Sequence, residues 1–252
     1  MNIHTIILAA GAGSRMKSNR AKVLQTIGGM SMLHRVLNKV EKLNSKATVV
    51  LGHQKESVLK HLNSISNNAN TVIQEEQLGT ADAVKSALSK TVAGEKVLVL
   101  YGDVPLIKKT TLEDLCSIQS DISILTTILK NPTGYGRVIK DENGFATNII
   151  EEKDATEQQK EIKEIFTGIL ATNGSILLEL IPKIDNNNSA KEFYLTDLIG
   201  IASDNGFKIN TLTSAQNETM GANSRIEQEE LERTLRAMNT DELLNSGVSL
   251  VD

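Results

Sequence analysis

Aromatic side chains are scarce in this chain, with no Trp, three Tyr and four Phe among 252 residues. Any core must therefore be assembled from Ile, Leu, Val and Ala. Cysteine is scarcer still: a single Cys116 excludes an internal disulfide and suits a reducing compartment. The four histidines, His4, His34, His53 and His61, lack the spacing of a zinc site. No apolar stretch approaches the roughly 20 residues needed to span a bilayer. The only early apolar run, residues 6–10, is interrupted by Gly11 and Gly13 and follows no basic segment, unlike a secretory signal. Positive charge is not in excess either. With 27 Lys and Arg against 31 Asp and Glu, the net charge is −4, whereas a nucleic-acid backbone rewards a basic face. A nucleotide needs only a few local cations and is compatible with this balance. The expectation is a cytoplasmic soluble protein, with neither nucleic acid nor membrane as partner.

What is present is an alternation of short aliphatic runs and helical periodicities. Residues 5–10 read as a buried strand, followed by a glycine-rich loop and a helix from about Ser31 with Met32, Leu33, Val36, Leu37 and Val40 on one face. Further strands are expected at 47–51, 71–74 and 97–101. Helices carrying Val58, Leu59 and Leu62, and spanning 81–88, lie between them. Thr111 with Asp114 three residues on matches a capping box. Residues 137–140 and 145–150 flank Asp141-Glu142-Asn143-Gly144, a hairpin signal with Gly144 free to take positive φ. A strand at 165–171, a helix at 193–203, a strand at 208–213 and a charge-rich helix from Ser224 to about Leu244 complete the order. Strands alternating with helices imply right-handed βαβ units and a mostly parallel sheet. The expected fold is an open three-layer α/β sheet with a small β insertion, binding ligands beyond the carboxyl ends of its strands.

Three segments at such strand ends carry chemistry. The first is Leu8-Ala9-Ala10-Gly11-Ala12-Gly13-Ser14-Arg15-Met16, with Lys22 following. Its glycines let backbone N–H groups cradle phosphate oxygens, to which Arg15 and Lys22 add positive charge. Taken alone, the same run reads first as a tight strand-to-helix turn with solvated cations. It is a poor dinucleotide fingerprint, because Met16 holds the third glycine position, and no Gly-Lys-Ser/Thr makes it a P-loop. The second segment, Tyr101-Gly102-Asp103-Val104-Pro105, points a carboxylate into the crevice where magnesium shared with nucleotide phosphates would sit. The alternative is an Asp capping a turn ahead of Pro105. Together at the ends of one sheet, the two segments favour a nucleotide-phosphate site. The third runs from Gln74 to Thr80: Gln74 offers donor and acceptor to a pyrimidine edge, Gly79 permits close approach, and Thr80 doubles as an N-cap candidate.

These segments resemble the uridylyltransferase (pyrophosphorylase) domain of the bacterial bifunctional enzymes that make UDP-N-acetylglucosamine. The resemblance extends over the chain through Lys22-Val23-Leu24, Gln77-Leu78-Gly79-Thr80, Tyr101-Gly102-Asp103-Val104-Pro105-Leu106, Pro132-Thr133-Gly134-Tyr135-Gly136-Arg137, Glu151 with Lys153-Asp154-Ala155-Thr156, Thr167-Gly168-Ile169-Leu170 and Tyr194-Leu195-Thr196-Asp197. It implies a Rossmann-like nucleotidyltransferase fold with UTP, a sugar 1-phosphate and pyrophosphate as partners and Mg2+ as cofactor. By the same resemblance, Leu8, Ala9, Ala10, Gly11 and Lys22 form the nucleotide loop, and Arg15 is its triphosphate cation. Gln74, Gly79 and Thr80 hold uracil, and Tyr101 and Gly102 lie beside the nucleotide. Asp103 and Asn223 hold the metal, with Arg15, Lys22 and Asp103 serving catalysis. Gly136 and Glu151 contact the sugar. From the residues alone, Asn223 reads as an N-cap before the last helix.

Two departures stand out. Phe166 occupies the place of an Asn that contacts the sugar in the family. The sequence also stops at Asp252, where the family continues into a left-handed β-helix acetyltransferase. The expected division is a transferase domain at 1–223 and a helical arm at 224–252. Transfer involving a different sugar 1-phosphate, or a non-catalytic sugar-nucleotide-binding homologue, are the competing readings.

Overall fold

In a computed structural model, which describes residues 2–65, 68–91 and 93–250, the first aliphatic run forms β1 (Ile3–Ala9), buried at every position. The short strands β2 (Thr26–Ile27) and β3 (Met30–Ser31) pair antiparallel and lead into α1 (Met32–Lys42). Ser31 caps α1 by accepting from the His34 backbone N–H, and the five apolar residues anticipated on one face are all buried. Then follow β4 (Lys46–Leu51), α2 (Lys55–Ile65), β5 (Asn70–Ile73), α3 (Thr80–Ala87), β6 (Lys96–Tyr101), α4 (Lys109–Ser117) and β7 (Ile122–Ile128). The hairpin β8 (Arg137–Lys140) and β9 (Ala146–Ile150) is succeeded by α5 (Glu157–Lys160), β10 (Glu164–Asn173) and α6 (Gly174–Leu180). The chain closes with α7 (Asp197–Asp204), β11 (Ile209–Thr213), α8 (Gln216–Thr219) and α9 (Arg225–Asn245).

The main sheet runs β11-β7-β10-β6-β1-β4-β5, with the β8–β9 hairpin attached to β10. Strand β1 is parallel to both neighbours, β4 and β6. The chain leaves β1 in one direction through β4 and β5, then returns to β6 on the other side. The crevice between the carboxyl ends of β1 and β6 is thus the topological switch point, where an open α/β sheet takes its ligand. Alternate residues of these strands feed opposite layers, as the two-residue pleat requires. Ile6, Leu8, Val97 and Val99 join α3, α6 and α7 in one core, while Ile7, Ala9, Leu98 and Leu100 join α1, α2 and α4 in the other. This is the three-layer arrangement expected, with the hairpin as the β insertion.

Several local expectations need correction. Strand β7 was not anticipated, because Ser123, Thr126 and Thr127 break its aliphatic run. It is buried at every residue but Ile128, and Thr126 and Thr127 satisfy their hydroxyls on Glu164 and the Ser214 carbonyl. Strand β10 inserts antiparallel between β6 and β7. No capping box opens α4: the helix begins at Lys109, and the Thr111 hydroxyl instead donates to Glu218 at 2.5 Å. Val58 and Leu62 of α2 are buried but Leu59 faces outward. The helix expected from Phe193 begins at Asp197, since the Phe193 backbone is engaged in both directions with Leu78 and Ala81.

Helix α9 packs through Leu231 and Leu235 on Ile27, Met32, Leu106 and Ala222. Leu243 and Leu244, farther along, are exposed. Asp252, the end of the expected arm, lies outside the described residues. Among those residues no helix is long and apolar enough to cross a membrane.

Candidate active site

A two-lobed cleft occupies the switch point. Leu8, Ala9, Ala10, Gly11, Gln74, Gly79 and Ala83 line one lobe. Gly136, Glu151, Phe166, Tyr194, Thr196 and Asn223 line the other. Lys22, Thr80, Tyr101 and Asp103 border both, so the lobes form one continuous cleft with a charged centre. The Gly102 N–H donates to the Leu8 carbonyl at 2.9 Å, tying the ends of β6 and β1 together and setting Asp103 at the junction.

At that junction Lys22 forms an ion pair with Asp103 and donates to Asn223 Oδ1 at 3.0 Å. Side-chain exposure is only 15% for Lys22 and 11% for Asp103, so water screens the pair weakly. Asn223 is not the N-cap. Ser224 caps α9 by accepting from the Glu227 N–H, while Glu227 accepts from the Asn223 backbone and side-chain amide N–H groups at 2.7 and 3.2 Å. That second contact fixes the amide with its oxygen toward Lys22. A carboxylate and an amide oxygen are hard donors that suit Mg2+, which keeps several waters and shares phosphate oxygens. Among the described residues no group of three or more His, Cys, Asp or Glu could hold a metal, and the Asp–Asn pair fits an ion held jointly with a phosphate.

In the first lobe, Gln74 is buried, and its Nε2 donates to the Gly79 carbonyl at 3.0 Å and to Asp82 Oδ2 at 2.7 Å. Both amide hydrogens are therefore committed. The expectation that Gln74 offers a base both a donor and an acceptor is corrected: only its oxygen remains. Gly79 has φ 129°, and a Cβ there would overlap the Phe193 backbone, so a strap following the acidic Glu192 closes directly over this turn. Gly79, not Thr80, is the N-cap of α3. Thr80 instead accepts from the Leu195 N–H at 2.9 Å. Burial above all, with the Asp103 charge next, drives the Tyr101 phenol well above its usual pKa, which keeps it neutral.

In the second lobe, the Thr196 hydroxyl donates to Glu151 Oε1 at 3.0 Å. Burial raises the Glu151 pKa, and Asp154 adds to the shift. Arg137 is buried and pairs with Glu152 at 2.5 Å while donating to the Tyr135 carbonyl, which ties the Gly134–Gly136 turn to the end of β9. The Phe166 N–H donates to the Gly136 carbonyl at 3.0 Å. Phe166 is only 6% exposed and belongs to the apolar core, yet it also lines the cleft, at the point where the β10–β7 register shifts. Phe166 is thus both core and wall, and supplies no side-chain hydrogen bond. Thr167 cannot replace the missing donor, since its hydroxyl is given to the Leu125 carbonyl at 2.8 Å.

Two expected residues stand apart. Arg15 is exposed in a short 3-10 turn and lines neither lobe, although its charge lowers the pKa of Tyr135 at the rim against the stronger upward effect of burial. Gly102 lies behind the cleft, packed near Leu33 and Val23.

Sequence reasoning missed Asp82, Thr196, Glu227 and Glu218. The last is buried and joins α8 to the post-β6 segment through Thr111 and Lys108. Asp82, Glu218 and Glu227 carried a signal as acidic residues in the first turns of helices, and Thr196 lay in the Tyr194-Leu195-Thr196-Asp197 motif without a role assigned to it.

Residues 5–160 match the family model described as the MobA-like NTP transferase domain. This chain belongs to that family. The matched span includes Leu8, Gln74 and Gly79 of the first lobe, together with Asp103 and Glu151. Proteins named bifunctional protein GlmU from Marinobacter nauticus and Ruthia magnifica are each 42% identical to the chain, over 99% and 100% of its length. The one from Francisella philomiragia is likewise 42% identical over 100%. In each case the chain spans 56% of the relative's own length. A Bacillus anthracis crystal structure described as a glucose-1-phosphate thymidylyltransferase, in complex with sucrose, superposes with TM-score 0.72 at 16% identity, covering 92% of this chain and 94% of that one. At that identity the likeness establishes the fold alone, an open α/β sheet with helices on both faces.

Proposed function

We propose that the chain transfers uridylyl from UTP to N-acetylglucosamine 1-phosphate, giving UDP-N-acetylglucosamine and pyrophosphate. The observation that carries this reading is the junction: Lys22, Asp103 and Asn223 meet between a lobe that presents the Gln74 amide oxygen and a lobe carrying a carboxylate and hydroxyls. A base, a phosphate chain and a sugar fit that sequence of surfaces. The GlmU likeness supports the same substrates.

The reaction is an in-line displacement in which a phosphate oxygen of the sugar phosphate attacks the α-phosphorus and pyrophosphate leaves. The acceptor phosphate is already an anion near neutral pH, so positioning and charge neutralisation supply most of the rate. Asp103 and Asn223 would hold Mg2+, which when bound offsets charge on the phosphate oxygens. Lys22, released from those two oxygens, is placed to neutralise the same phosphates, and Arg15 adds charge from the rim. Glu151 accepts a sugar hydroxyl, and Gly136 lets the ring approach the backbone. The residues of this machinery precede α9, whose first turn, through Glu227, orients Asn223.

Phe166 favours a second reading, a transferase for a different sugar 1-phosphate. Pyrophosphate release measured with four nucleoside triphosphates and several sugar 1-phosphates tests both. Fastest turnover with UTP and N-acetylglucosamine 1-phosphate supports the first; a different preferred sugar supports the second. No release with any pair would leave a binding protein.

A further inference from the structure

The nucleotide lobe contains a polar arrangement that bears on which base it accepts. Gln74 is held at the end of β5 by its backbone N–H, which donates to the Leu51 carbonyl at 2.8 Å. Its two side-chain N–H groups go to the Gly79 carbonyl and Asp82 Oδ2. Both partners are acceptors only. Turning the amide over would set its oxygen against a carbonyl and a carboxylate at hydrogen-bond distance, so this orientation is dictated by the neighbours. The Gln74 oxygen has no protein partner among the described residues, yet it is not among the enclosed, unpartnered polar atoms; it opens on the cleft that Gln74 lines. Asp82 does not line the cleft. It stands in the first turn of α3, where the helix N-terminus favours its charge.

We propose that Asp82 is a positioning residue that sets base choice: by holding Gln74 through its nitrogen, it leaves the Gln74 oxygen, an acceptor, facing the base. A uracil-type ring offers that acceptor its N3–H. Cytosine presents a lone pair at N3 and must shift to offer its amino group instead. A site built around one hydrogen-bond polarity rejects the opposite polarity strongly, because a buried group is left unpaired. This rests on the nucleotidyl-transfer reading for its substrate, but nucleotide binding tests it independently.

The test compares UTP, CTP and 3-methyluridine triphosphate, which lacks the N3–H, by nucleotide affinity and by kcat/KM. The wild-type chain should prefer UTP over the other two by at least about tenfold. Asp82→Asn can donate as well as accept, so Gln74 can turn over against only one opposing acceptor. The UTP-over-CTP ratio should then fall by about tenfold, through a weaker UTP affinity, with the KM for the sugar phosphate unchanged. Asp82→Ala supplies no new donor and should lose less, only a few-fold. A merely structural role for Asp82 would lower stability and leave the nucleotide ratio in place. An unchanged ratio in folded Asp82→Asn overturns the proposal, as does equal use of UTP and its 3-methyl derivative by the wild-type chain. If no nucleotide is turned over but UTP binds selectively and Asp82→Asn abolishes that selectivity, the transfer reading fails and this inference stands.

Discussion

Replacing Asp103 by Asn keeps the shape at the cleft junction and removes one charge. The carboxylate is buried and paired with Lys22, itself 15% exposed on its side chain. Breaking a fully buried pair from one side costs about 3–5 kcal/mol. Here the stranded ammonium keeps Asn223 Oδ1 at 3.0 Å, gains an amide oxygen at 103 and borders the cleft. The stability loss should therefore be about 1–2 kcal/mol, more than a freely solvated strand-end carboxylate would produce. Catalysis should suffer more. With one of two protein oxygens for the metal weakened, turnover should fall at least about a hundredfold, or roughly 2.7 kcal/mol of barrier. Initial rates of pyrophosphate release at saturating substrates, measured across a magnesium titration beside thermal unfolding, separate the two effects. The apparent magnesium requirement should rise while the KM for the sugar phosphate changes little. Near-normal turnover in a folded Asp103→Asn variant would refute the role assigned to this carboxylate.

Phe166→Asn should lose about 2–4 kcal/mol of stability, because an amide replaces a ring packed in the apolar core. Because the position also lines the cleft, kcat/KM for N-acetylglucosamine 1-phosphate should rise several-fold with the KM for UTP unchanged; no gain in a folded variant would assign Phe166 to packing alone. Asp197 has its pKa raised from 3.8 to about 6, by burial first and then by Asp185, Glu151 and Asp154. Between those values the folded chain binds the proton more tightly than the unfolded chain, so stability falls as pH rises towards 6. Asp197→Asn should flatten that fall and add about 1 kcal/mol at pH 7, after allowance for partial exposure, as read from urea midpoints at several pH values. Gly168→Ala puts a methyl group into the Tyr101 ring at φ 85°; unfolding should show a loss of about 2 kcal/mol or more, with a raised KM for UTP.

Much of the scaffold was legible because it depends on neighbours along the chain. The aliphatic run of β1, the buried face of α1 and the Gly144 turn follow from pleat, helical period and backbone freedom, and each lies where residues a few positions apart predicted it. The order of these elements also implied a parallel sheet with the Gly11 and Asp103 segments at its strand ends, whereas the adjacency of β1 and β6 at the switch point came only from the tertiary structure. Strand β7 escaped because its threonine hydroxyls find their partners on β10, on β11 and on the chain after β11, which no local pattern announces. The site's finer chemistry was hidden for the same reason. Lys22 meets Asn223 across 201 positions of sequence, and Glu227 decides which way that amide points. Nothing in Gln74 itself says whether it presents oxygen or nitrogen to a ligand; Gly79 and Asp82 decide that once α3 is docked. Phe166 could be core or wall, and the folded chain makes it both, at the register shift in β10. Residue type therefore set which chemistry was available, and tertiary packing set the polarity and direction of each group, because a hydrogen bond is fixed only when both of its partners are in place.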